Sequence, residues 1–139
     1  TASFGSGQME AAIRASLAVY RSSAGDRDAA RTELTEAAIV GLRTRDMPII
    51  SHVASASASL AHREGDDETA ARILGASEAI RGMADLMNRD IRTLRLALRA
   101  SLGEDRFEQL HGEGRSLGRD DAIALALPDT ASSGGSSTE

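Results

Sequence analysis

The sequence predicts an all-α protein of tetratricopeptide-like antiparallel helix pairs, an α-solenoid of about seven helices. The apolar residues recur at steps of three and four, Gly-Asp breaks punctuate them, and the pattern copies itself after forty positions. The apolar residues are mainly Ala, Leu and Ile and only 2% of the chain is aromatic, a diet that favours closely packed helices over sheets. With 139 residues and 41% hydrophobic content, the chain is long enough for one domain with its own core.

Met9, Ile13, Ser16 and Tyr20 fall on one stripe of a helix from about Gln8 to Ser23, the kind of stripe that packs against a neighbour. Gly25-Asp26 then ends that helix and caps the next, where Ala30, Leu34, Ala37 and Gly41 form the stripe of a helix over about Asp28 to Arg43. Asp46 before Met47-Pro48 marks another start, since proline is tolerated in a first turn. Shifted by forty, Met9 falls on Ile49, Ile13 on Val53, Ser16 on Ala56, Tyr20 on Leu60, Gly25-Asp26 on Gly65-Asp66, and Leu34 on Leu74. A third, incomplete copy lies thirty-eight further on, with Met87, Ile91, Leu94 and Leu98 in the stripe and Gly103-Glu104 at the break.

Two short helices follow, one around Phe107 and Leu110 and one through Ala122, Ile123, Ala126 and Leu127, stopped by Pro128. They read as a degenerate cap, because a terminal repeat must meet water. The expected organisation is a disordered segment 1–7, one helical-repeat domain 8–127 (pairs 8–43 and 46–82, capping helices 86–127), and a disordered Ser/Gly-rich tail 128–139. Ala30-Leu34-Ala37 and Ala70-Leu74-Ser77 keep the small-large-small spacing of closely approaching helices. The period exceeds the tetratricopeptide norm of about 34 residues, and HEAT-type pairs of roughly 40 to 47 are a competing label.

Catalytic signatures are missing. All sixteen basic residues are Arg, so neither a P-loop nor Schiff-base chemistry by Lys is available. The run Gly112-Glu113-Gly114-Arg115-Ser116-Leu117-Gly118 has the wrong spacing for a dinucleotide loop and no strand before it. His52, His62 and His111 are in no zinc-binding arrangement and the chain has no cysteine. The carboxylates Asp26, Asp28, Asp46, Asp66, Asp67, Glu68, Asp120 and Asp121 gather at helix starts, where they offset the helix dipole. No catalytic residue, metal or cofactor is therefore expected.

The net charge is −5 and acids separate the arginines, so no basic stripe exists to follow a phosphate backbone, and direct nucleic-acid binding is not expected. No run of residues is long and apolar enough to suggest a membrane span. Arg89, Arg92, Arg95 and Arg99 share a helix, either as a solvated face or to meet an acidic partner. On the helix from Asp46 to Glu64, Ser51, Ser55, Ser59 and His62 lie opposite the apolar stripe. Solenoids line a concave groove with the first helix of each pair, which makes these four the candidate partner-binding residues.

The segment Thr69-Ala70-Ala71-Arg72-Ile73-Leu74-Gly75-Ala76-Ser77-Glu78-Ala79-Ile80-Arg81 resembles one near the C-terminus of large ATP-binding transcriptional regulators of high-GC bacteria, of the LuxR or antibiotic-regulatory-protein type. Leu98 to Phe107 resembles the next helix and turn of that family, and Gly114-Arg115-Ser116-Leu117 with Asp120 to Ala126 its closing Gly-Arg and last short helix. The likeness covers about Gly25 to Leu127 and departs at the short link Gly82–Asp85 and at His111, where the family often has Trp.

The resemblance implies a cytoplasmic helical array that senses an inducer or partner and restrains an ATPase located elsewhere in a larger protein. Its partner is then a protein or peptide, or other domains of the parent regulator. The alternative is a free-standing helical scaffold or dimerisation module, a homodimer, with no regulatory parent.

Overall fold

In the computed structural model, which describes residues 6–85 and 87–130, the described residues form seven α-helices and no strand. They are α1 (Ser6–Ser23), α2 (Arg27–Thr44), α3 (Met47–Arg63), α4 (Asp67–Arg81), α5 (Arg89–Leu102), α6 (Glu104–Arg115) and α7 (Arg119–Ala126). Ser6 and Gly7, expected in the leading segment, belong to the first turn of α1, whereas residues 1–5 and 131–139 of the expected disordered ends lie outside the described residues.

Local chemistry accounts for the boundaries. Asp26, Asp46 and Asp66 precede α2, α3 and α4, and the side chain of each accepts a hydrogen bond from the backbone N–H three residues on. Asn88 does the same for α5 through the N–H groups of Asp90 and Ile91. The turn after α1 recurs forty residues later: Gly25 N–H donates to Ser22 and Asp26 N–H to Arg21, as Gly65 donates to His62 and Asp66 to Ala61. Gly25 and Gly65 have φ of 89° and 86°, the left-handed region that a side chain disfavours.

Each consecutive pair packs together, α1 on α2 and α3 on α4, and α3 also lies against α1 and α2. α4 then carries α5, α6 and α7 on its other sides. Leu34, Val53, Leu60, Leu74, Ile80, Leu98, Phe107 and Leu110 are fully buried between the layers, with Ala at most remaining contacts. Being enclosed on so many sides, α3 is buried almost all round between Ile50 and Ala61.

Two sequence expectations need correction. The α1 stripe of Met9, Ile13, Ser16 and Tyr20 faces outward, with Met9, Ile13 and Tyr20 65%, 58% and 70% exposed, while Ala11, Ala15 and Ala18 make the buried seam. Both sets follow the same four-three spacing, and a close helix pair selects the smaller side chains. Met87 is not a helical core residue: it lies 88% exposed, ahead of the Asn88 cap, and the buried line of α5 is Leu94 and Leu98.

Candidate binding cleft

α1 and α3, the first helices of the two pairs, and α5 border a cleft along one edge of α3. One hollow, 110 Å³, is lined by Ser16 and Val19 of α1, His52, Ser55 and Ser59 of α3, and Asp90 and Ile91 of α5. A second, 190 Å³, continues past Val19, Ser59 and Asp90 to His62, Thr93 and Leu94. The walls are thus apolar at Val19, Ile91 and Leu94, with hydroxyls, imidazoles, the Asp90 carboxylate and the Arg63 guanidinium at defined points.

The four predicted residues divide between interior and cleft. Ser51 is 7% exposed, and its hydroxyl donates to the Ser77 carbonyl at 2.9 Å, so it joins α3 to α4 inside the fold. Ser55, also 7% exposed, donates to the His52 carbonyl of its own helix at 2.8 Å and lies at the floor of the first hollow. Ser59 borders both hollows, and His62 the second. The His62 ring is held by Asp67 at the start of α4, Nδ1 to Oδ1 2.7 Å. Burial pushes the Asp67 carboxyl up, but hydrogen bonds from Ser101 and His62 outweigh it and leave the group below its ordinary pKa.

Sequence reading missed His52, Asp90 and Val19. The signal for the α1 wall was Ser16, the one polar member of an otherwise apolar stripe. His52 is largely enclosed and burial lowers its pKa, opposed by a hydrogen bond to the Ala12 carbonyl and by the charges of Asp85 and Asp90. It is therefore a neutral imidazole at neutral pH.

A second polar cluster lies across α4. Arg95 and the His111 ring both contact Glu78 Oε2, the latter at 3.1 Å, and Phe107 stacks on His111 with centroids 5.3 Å apart. Arg99 bonds Glu104 and Glu108 and sits 4.5 Å over the Phe107 ring. Burial pushes Glu78 up, but the His111 hydrogen bond and the charges of His111, Arg95 and Arg115 leave it below the usual carboxylate range. For Arg95 and Arg99, the acidic partner of the arginine run is this chain's own helices.

Among the described residues no helix is long and apolar enough to cross a membrane, and no group of three or more His, Asp or Glu is arranged to hold a metal ion. Comparison with known protein families, with curated proteins and with solved structures finds no match in any of the three.

Proposed function

We propose that the chain is a non-catalytic, tetratricopeptide-like helical-repeat module that binds a protein or peptide in the α1–α3–α5 cleft. The observation that carries this reading is that the first helices of the two pairs, with α5 beside them, converge on one edge, as in repeat proteins that bind along a concave face. Two adjoining hollows of 110 and 190 Å³ suit successive side chains of a peptide. Val19, Ile91 and Leu94 offer apolar anchorage, and Asp90 favours a basic or hydrogen-bond-donating group beside it.

The resemblance of Thr69–Arg81 and the two later segments supports placing this module in a bacterial transcriptional regulator, where its partner is another domain or a signalling protein. The cleft is tested by selecting binders from a peptide library against the full chain. Ser59→Arg with His62→Gln, whose amide can still donate to Asp67, should lose the selected peptides while keeping the wild-type melting temperature. Undiminished binding puts the contact elsewhere. The regulatory parent is tested by the surrounding reading frame: a P-loop ATPase encoded in frame supports it, and a start codon directly before Thr1 removes it.

A further inference from the structure

We infer that the outer face of α1 is a docking seat for a further helix pair, stacked on α1 as the α1–α2 pair stacks on α3. The inference rests on the forty-residue register within the proposed repeat reading and is independent of what the cleft binds. In that register Met9, Ile13 and Tyr20 occupy the places of Ile49, Val53 and Leu60. On α3 these places are covered: Ile49 packs on the core, Val53 and Leu60 are buried, and the Val53 and Ile49 methyls close on Gly41 of α2, the seam with the preceding pair. On α1 the equivalent side chains are more than half exposed. The same apolar strip is built twice and covered once.

The inner face obeys the register too. Ala11, Ala15 and Ala18 correspond to Ser51, Ser55 and Ala58, all buried. The repeat therefore specifies the occupant, a helix with small residues at the contact, as α2 presents Gly41 between Ala11 and Val53. A 430 Å³ depression beside Met9, Ile13 and Leu17 leaves room for such a contact. The charges around it are largely satisfied within the pair, since Arg14 bonds Glu10 at 2.9 Å and Glu33 at 3.0 Å, so covering the strip strands neither Arg14 nor its acids without a partner. A second copy stacked head to tail is disfavoured, because α4, the second helix of the last pair, already carries α5, α6 and α7.

The test inserts a second copy of residues 6–45 directly before Ser6 of the full chain, which preserves the forty-residue period. The inserted copy carries Met9→Gln, so that the remaining Met9 reports on α1. The added pair should fold, raise the melting temperature and slow peroxide oxidation of that Met9 several-fold, and Ile13→Glu in the original α1 should abolish the protection. In the unextended chain Ile13→Glu should leave melting unchanged. An inserted pair that proteases remove, or a Met9 still oxidised at the unextended rate, overturns the seat. So does a homodimer of the unextended chain that Ile13→Glu dissociates, since the occupant is then a second copy. Peptide binding at the cleft, read with Ser59→Arg and His62→Gln, reports separately on that site.

Discussion

Gly75 and Gly114 stand backbone to backbone where α4 crosses α6: a Cβ on Gly75 would lie 2.0 Å from the His111 carbonyl oxygen, and one on Gly114 would lie 2.0 Å from that of Arg72. Neither glycine has a positive φ, so the crossing distance, not backbone freedom, requires them. A mid-helix glycine is otherwise a helix-weakening choice.

Gly75→Ala should therefore destabilise the chain by about 3 kcal/mol, the upper part of the overpacking range, even against the roughly 1 kcal/mol that Ala gains in helix propensity. Urea denaturation measures it. A midpoint equal to wild type would mean that α4 and α6 do not approach this closely.

Leu94 and Leu96 give a test of the phase of α5. Leu94 is 6% exposed and Leu96 69%. Leu94→Ala should cost roughly 2 to 5 kcal/mol, and Leu96→Ala no more than about 0.5 kcal/mol. Equal costs in chemical denaturation would place the helix in another rotation.

His52 makes stability depend on pH near neutrality. Its folded pKa lies below the ordinary value of 6.5, so as pH falls the unfolded chain takes up the proton first. The stability it contributes is complete above that value and is lost as pH falls from there through the lowered folded pKa. Denaturation midpoints across this window should fall for wild type and flatten for His52→Gln. Parallel curves would put the imidazole in water.

Glu78 acts in the same direction at lower pH. Its folded pKa is below the ordinary 4.5, so its contribution is complete above that value and disappears as pH falls through the lower folded value. Glu78→Gln leaves the largely buried Arg95 guanidinium without its counter-charge, and should cost about 3 to 5 kcal/mol at neutral pH. The variant's loss on acidification should be correspondingly shallower. If wild type and variant lose stability equally in acid, the cluster is not what titrates.

Interactions spanning a few residues are legible in the chain itself. The Gly25-Asp26 and Gly65-Asp66 turns and the Asp46 cap depend on side chains that hydrogen-bond three positions away and on glycines that tolerate positive φ. The small-large-small lines Ala30-Leu34-Ala37 and Ala70-Leu74-Ser77 are buried because their spacing matches one helix face. Of the candidate site, Ser55, Ser59 and His62 reach the cleft, while Ser51 goes inside because α4 offers its hydroxyl a carbonyl.

Tertiary structure alone decided which of two equally periodic stripes on α1 is inside. Periodicity sets the angle between side chains around a helix but not its rotation against a neighbour, and the close approach of α1 and α2 selected Ala11, Ala15 and Ala18 over the larger Met9, Ile13 and Tyr20. Likewise Glu78, Arg95 and His111 are distant in sequence and meet only because Gly75 and Gly114 let α6 settle on α4. The sequence by itself determined where α2, α3 and α4 begin, since capping is local; packing determined which faces remain open, since burial depends on what the rest of the chain brings alongside.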